Sequence, residues 1–239
     1  MKREISIIIP AYNEEKYLLF ALESIERQTF DHDKIETIVV NNASTDKTEE
    51  VFNSFVGKNS FKMIMIDEPI LGVSRAKNKG ASIAEGEILI FLDADSQMSE
   101  NLVQLINDYY EQGYLMGIIR LVPESNNLMA RFLFKLIDFG KDKFHVTAQM
   151  GYCDRELFWK AGGFRHELKH AEDLELFTKI KKLLKKEGKK FCYIKEAFII
   201  TSTRRMDRLP LRLGYLLTFF EWFFGGFLGL RRKTYKPYR

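Results

Sequence analysis

The sequence predicts an α/β fold with a mostly parallel central sheet flanked by helices. Short β-branched runs alternate with helix-spaced segments across residues 5–112, and each run ends in a polar cluster. The chain has 239 residues, 46% of them hydrophobic and 29% charged, enough to bury a full core and too apolar for disorder.

Each element has its own warrant. Ile5–Ile9 is a β-branched run closed by Pro10 and reads as a buried strand. Glu15–Gln28 carries Leu18, Leu22 and Ile25 at helical spacing. Ile35–Val40 is a second strand and ends in Asn41, Asn42, Ala43 and Ser44. Asp46 is placed to cap the next helix, with Glu49 three residues on in a capping-box arrangement. A strand over Phe61–Ile66, a helix over Ser74–Ala84 and a strand over Glu87–Leu92 follow, the last running into Asp93–Ala94–Asp95. This alternation implies βαβ units and a parallel sheet, which binds ligands beyond the carboxyl ends of its strands. The polar clusters at 11–14, 41–44 and 93–95 fall at those ends. A further helix spans Ser99–Gln112; after it the pattern loosens, and the second half is expected to be rich in loops. Met150–Phe164 mixes aromatics with Gly151, Gly162 and Gly163, while Asp173–Leu184 is amphipathic. No repeat or low-complexity linker separates the halves, so they are expected to share one core.

Charge and cysteine content exclude some classes. Cys153 and Cys192 are too few for a disulfide framework and fit a reducing compartment. The net charge of +4 conceals a body of −3 and a tail after Thr203 of +7. Nucleic-acid binding is not expected, because its positive charge should lie on the folded face that reads the backbone. The apolar run at Ile5–Pro10 is short and leads into Asn13, Glu14, Glu15 and Lys16 rather than a cleavage site, so a cytoplasmic location is expected.

Asp93-x-Asp95 at the end of a hydrophobic strand is the first chemical feature. Two adjacent carboxylates repel, and a hard divalent cation such as Mg²⁺ or Mn²⁺ relieves the repulsion while bridging to substrate phosphates. The bland alternative is a solvated turn between strand and helix. Other segments make the pattern specific: Ser6-Ile-Ile-Ile-Pro10-Ala-Tyr-Asn-Glu14, Asn41-Asn-Ala-Ser-Thr-Asp46, Gly72-Val-Ser-Arg75-Ala-Lys-Asn78-Lys-Gly80, and Gly162-Gly-Phe164 followed by Glu172-Asp173. In this order and spacing they resemble the inverting glycosyltransferases of family 2, which have the GT-A fold, and the likeness spans about residues 5–180.

The resemblance implies a role for each matched residue. Pro10, Ala11, Tyr12 and Glu14 would line the nucleoside pocket with Asn41 or Asn42. Arg75 would reach the diphosphate. Asp93, beside Ala94, would contact the donor ribose or the metal, and Asp95 would be the principal ligand of Mg²⁺ or Mn²⁺. Asp173 would take the proton from the acceptor hydroxyl, although its position before Leu174–Leu184 also suits a helix N-cap. The family usually has an acid where Asn41 stands, which weakens the preference for uridine that a UDP donor requires. The resemblance further implies one catalytic domain over 1–200, with a nucleotide-binding half at 1–110 and an acceptor half at 111–200. Its substrates would be a nucleotide sugar and a carbohydrate or lipid-linked acceptor, as in the synthesis of cell-envelope polysaccharide, glycolipid or glycan.

Competing readings are a nucleotidyltransferase on a similar sheet and a non-catalytic sugar-nucleotide binding module. His166-Glu167-Leu168-Lys169-His170 matches the HExxH of zinc hydrolases. It is set aside, because glycines lie just upstream and no third ligand has the expected context. Thr201-Ser-Thr-Arg204-Arg205 presents two arginines that would either fold over the diphosphate or form a solvated basic stretch. In the tail over 201–239, Leu213–Leu230 holds seven aromatics and one charge, Glu221, between basic flanks. This favours an interfacial anchor, so that 204–239 would make peripheral membrane contact, or else a helix packed on the domain or a second subunit.

Overall fold

The computed structural model describes residues 4–56, 62–144, 151–168 and 172–204. The first four strands are β1 (Ile5–Ala11), β2 (Ile35–Asn41), β3 (Lys62–Asp67) and β4 (Ile88–Phe91), joined through helices α1 (Leu18–Glu26), α2 (Thr48–Val56) and α3 (Val73–Ile83). β1 pairs in parallel with β2 and β4, and β2 with β3. β1, β2 and β4 are where the sequence places them because their β-branched residues are buried on both faces, as a sheet covered by helices on each side requires, whereas β3 at the edge is largely half-buried. β1 runs through Pro10 to Ala11; Pro10 lies beyond the ladder to β4, which ends at Ile8 and Phe91.

The second half is more regular than expected. It adds β5 (Ser96–Met98), α4 (Leu102–Glu111), β6 (Tyr114–Pro123), α5 (Leu128–Phe144), β7 (Gly151–Asp154), α6 (Arg155–Lys160), α7 (Glu172–Lys186) and β8 (Lys190–Thr201). β7 inserts antiparallel between β4 and β6, β8 runs parallel to β6, and β5 closes the edge antiparallel to β8. The result is one eight-stranded mixed sheet in the order β3-β2-β1-β4-β7-β6-β8-β5.

Alternate residues of β1 feed the two sides. Ile7 and Ile9 pack with α1, α2 and α4, whereas Ile8 packs with α3, α6 and α7. Close approach of α3 to β1 depends on Gly80, where a Cβ would stand 2.5 Å from the Ile8 side chain. That approach brings the polar face of α3 to the strand ends.

Candidate active site

The carboxyl ends of β1, β2 and β3 are level: Ala11 is in register with Asn41, and Asn41 with Asp67. The turns beyond β1 and β2 are locked together. Asn13 and Ala43 have left-handed backbones, at φ 55° and 60°. For alanine this conformation is unfavourable by about 1–2 kcal/mol, so the surroundings must impose it. Asn13 N–H donates to Ser44 Oγ at 3.1 Å, and Asn13 Oδ1 accepts from Thr45 N–H at 2.8 Å. Glu14 N–H donates to Thr48 Oγ1, while Asp46 accepts from the N–H groups of both Glu15 and Thr48. Asp46 thus supports the start of α2, as expected, and also fixes the loop that carries Tyr12 and Glu14.

The two asparagines after β2 have different tasks. Asn42 is buried and binds the loop before α3, donating to Glu68 O and Ile70 O and accepting from Gly72 N–H at 2.8 Å. Asn41 donates from Nδ2 to Asp67 Oδ1 at 3.0 Å. An acid, Asp67, therefore stands beside Asn41 at the end of β3. Arg75 stands in the first turn of α3 and makes no ion pair among the described residues. Gly72, ahead of α3, has no side chain to cap the helix, and the buried Ser74 Oγ has no hydrogen-bond partner. Uncapped N–H groups and a positive dipole end are the ordinary elements of a phosphate site.

Asp93, Ala94 and Asp95 follow β4, with Ala94 buried between two half-buried carboxylates. Arg204 meets them from the far end of the chain. β8 ends beside β5, Ser202 N–H donates to Asp95 O, and Arg204 Nε lies 3.2 Å from Asp95 Oδ2. The guanidinium also forks onto both carboxylate oxygens of Glu14 and lies over the Tyr17 ring. Burial pushes the Glu14 carboxyl above its ordinary value, Asp93 and Asp46 add to this, and Arg204 opposes it. Arg204 is thus held against Glu14 and Asp95 rather than left solvated. Arg205 and the tail beyond it lie outside the described residues.

Asp173 lies in the first turn of α7, which already starts at Glu172, so it is not the residue ahead of the helix that an N-cap requires. Its Oδ1 accepts from Lys77 Nζ at 2.7 Å, and Glu172 Oε1 is 3.4 Å from the same nitrogen. Lys77 is 2% exposed and faces the Phe164 ring at 5.0 Å. Burial disfavours its charge, but Asp173, Glu172 and Asp93 together reverse that and hold the ammonium protonated. Three carboxylates around one cation leave the cluster over-acidic. Burial accordingly raises the Asp173 carboxyl above its ordinary value, with Lys77 opposing and Glu172 reinforcing the shift. This lysine was not among the residues singled out from the sequence.

The segment that leads to Asp173 is fastened to α3 by Asn78. Its side chain donates to Phe164 O at 2.7 Å, accepts from Phe164 N–H at 2.9 Å and meets His166 Nε2 at 2.8 Å. Gly163 is required here: its φ is 63°, and a Cβ would come within 2.9 Å of Asn78 Oδ1. Phe164 also packs edge-on against Phe91, the last residue of β4, at 4.9 Å. His166 and Glu167 lie in a turn rather than on a helix, and His170 lies outside the described residues. A zinc hydrolase site needs both histidines on one helical face.

Asp93, Asp95, Glu14, Arg204, Lys77 and Asp173 thus form one electrostatically linked group, with Asp93 acting on both Lys77 and Glu14. A hollow of about 500 Å³ bordered by Arg27, Met98 and Phe198 includes none of them. No cluster of three or more metal-ligating side chains occurs among the described residues. Two carboxylates suit a Mg²⁺ or Mn²⁺ ion whose other ligands are phosphate oxygens and water. The arginine resting on Asp95 marks that position as one that accepts positive charge.

Comparison with known proteins identifies the family and the fold. Residues 6–199 match the family described as glycosyl transferase family 2. Glycosyltransferase GlyG of Streptococcus pneumoniae is 34% identical over 160 residues, covering 66% of this chain and 48% of that protein. The poly(ribitol-phosphate) β-N-acetylglucosaminyltransferase TarS of Staphylococcus aureus is 27% identical over 190 residues, 72% of this chain and 31% of TarS. The chain therefore spans about half or less of the length of these relatives. In structure it resembles S. aureus TarS 1–349 in complex with UDP-GlcNAc, with a TM-score of 0.67 and 19% identity over 84% of this chain and 59% of that one. It also resembles the mannosyltransferase PcManGT of Pyrobaculum calidifontis in complex with GDP-Man and Mn²⁺, with a TM-score of 0.67 and 20% identity over 87% of this chain and 59% of that one. The sheet is that of the GT-A fold, and the chain belongs to glycosyl transferase family 2.

Proposed function

We propose that this chain transfers a sugar from a nucleoside diphosphate to an acceptor hydroxyl with inversion, using Asp173 as the base. The observation that carries the reading is the Lys77–Asp173 pair within the field of Asp93. It links a carboxylate from the second half of the chain to the strand end that carries the acidic pair.

The nucleoside would lie against Pro10, Ala11 and Tyr12 at the end of β1, beside Asn41 and Asp67. Asp67 would accept a base N–H, a role open to it because it already accepts from Asn41. The diphosphate would meet the N-terminus of α3, Arg75 and Ser74, with Arg204 moving from Glu14 onto it. Asp93 and Asp95 would hold Mg²⁺ or Mn²⁺, which when bound neutralises charge that builds on the departing diphosphate. Lys77 engages Asp173 Oδ1 and keeps the carboxylate oriented. The other oxygen would take the acceptor proton as the hydroxyl oxygen bonds to the anomeric carbon and the sugar–phosphate bond breaks. A carboxyl raised above its ordinary value is a stronger base than a free aspartate. One base and one displacement invert the anomeric centre.

UDP is the favoured donor nucleotide, supported by the UDP-GlcNAc complex of TarS. The names of TarS and of the minor teichoic acid biosynthesis protein GgaB of Bacillus subtilis support an acceptor in the cell envelope. A thermal-shift panel of UDP- and GDP-sugars with and without Mn²⁺ tests the donor. A ligand at about 100 Kd stabilises the native state by about 2.7 kcal/mol. UDP-sugars should raise the melting temperature only with the metal; no response to any nucleotide sugar would refute the reading.

A further inference from the structure

Helix α5 is apolar on two sides, and only one is covered by the described residues. Ala130, Leu133, Phe134 and Ile137 are buried beneath it, yet Leu128, Phe132 and Phe139 on its outer surface are 81%, 68% and 59% exposed. Met129 and Leu136 extend the exposed stripe. At about 100° per residue these five side chains fall within an arc of about 100°, the width of a face made to be buried.

The charges around the stripe are unequal in their pairing. The acids of α5 are engaged with the sheet: Asp138 with Arg120 Nε at 3.2 Å and with the Tyr193 hydroxyl, and Asp142 with Lys195 Nζ at 2.6 Å. Arg131, Lys135 and Lys143 have no ion pair among the described residues and project from the exposed side. An apolar, aromatic face bordered by cations with no acidic partner among the described residues complements a bilayer carrying anionic headgroups, and a purely apolar protein groove would leave those cations unmatched. The position of the helix adds to the argument. Pro123, five residues before α5, is in register with Thr201, and Glu124 N–H donates to Thr201 O. The start of α5 and the exit of the chain toward its basic, aromatic tail are therefore at the same end of the sheet as Asp95.

We propose that the outer face of α5 is a membrane-docking surface for anionic lipid, distinct from the tail and independent of the transfer reaction. The test uses the full chain with vesicles of phosphatidylcholine, with and without phosphatidylglycerol. Phe132→Asp combined with Phe139→Asp should leave melting unchanged without lipid and weaken sedimentation with the anionic vesicles at least about tenfold. Phe132→Trp should be quenched by brominated acyl chains in those vesicles. Unchanged sedimentation of the double variant, or an unquenched Phe132→Trp, would overturn the proposal. So would a large fall in melting temperature of the double variant without lipid, which would mean that the tail covers the face. Conversion of a dimer to a monomer by the same variant would mean that a second copy covers it.

Discussion

Lys77→Met replaces the buried ammonium with an apolar side chain of similar length and leaves Asp173 and Glu172 facing each other without their cation. Removing one partner of a buried ion pair costs about 3–5 kcal/mol. Lys77 is 2% exposed, but Asp173 and Glu172 are 20% and 14% exposed, so water screens part of the loss and the lower end applies. About 3 kcal/mol is a factor of about 150 in the folding equilibrium and about 6–12 °C in melting temperature for a domain of this size. The loss must depend on pH. In the variant, burial and Glu172 push Asp173 upward with nothing to oppose them. A carboxyl raised in the folded state contributes stability that is present below its unfolded value and lost as pH rises through its folded value. The deficit should therefore be largest at about pH 8 and shrink toward about pH 5. Denaturant unfolding of both proteins at the two pH values measures it. A variant as stable as the parent at the higher pH, or a deficit of equal size at both, would refute the argument that Lys77 compensates an over-acidic cluster.

Two further outcomes follow from the same electrostatics. Arg204→Ala should destabilise the protein by about 1–2 kcal/mol near neutral pH, because Glu14 and Asp95 lose a partly exposed guanidinium. Unfolding curves should then show Mn²⁺ restoring more stability to this variant than to the parent; equal restoration would mean that the metal and Arg204 do not share Asp95. Glu36 is 1% exposed and accepts from Ser6 Oγ, Glu85 N–H and Lys62 Nζ. Burial disfavours its charge, yet those donors prevail and its pKa is lowered, so its stabilisation holds above the ordinary carboxylate value and fades as pH falls through the folded one. Glu36→Gln should cost about 2 kcal/mol at neutral pH, with the difference closing in acid, as measured by urea unfolding across pH.

The legible part of the fold was the part whose residues have one environment. Ile35–Val40 and Ile88–Leu92 are buried on both faces, and such runs between polar clusters announce themselves. β6 and β8 escaped notice for physical reasons. Tyr114–Pro123 follows α4 with Gly113 as its only break, and β8 includes Lys195 and Glu196 beside irregular pairing between Ile119 and Arg120 of β6. α5 was hidden by its own exposed stripe, because apolar residues on two faces erase the helical period. Within the site, the DxD pair was readable from its place at the end of a strand, and Asp173 only through the resemblance to family 2. Lys77 was not, since a lysine in a helix ordinarily points to water and its burial is fixed by Asp173, 96 residues away. Its place between Arg75 and Asn78 in an otherwise matched segment was the available signal. The contact of Arg204 with Glu14 spans 190 residues and is equally invisible to local pattern.

The assignment of Asp173 is tested most directly by comparing Asp173→Asn with the parent protein in two assays on one nucleotide sugar. Calorimetric titration in Mn²⁺ should give donor affinities within about threefold of each other, because Asp173 is assigned to the acceptor side. Nucleoside diphosphate release, with water or a sugar as acceptor, should fall at least about 100-fold in the variant. Release at the parental rate with donor binding intact would contradict the account.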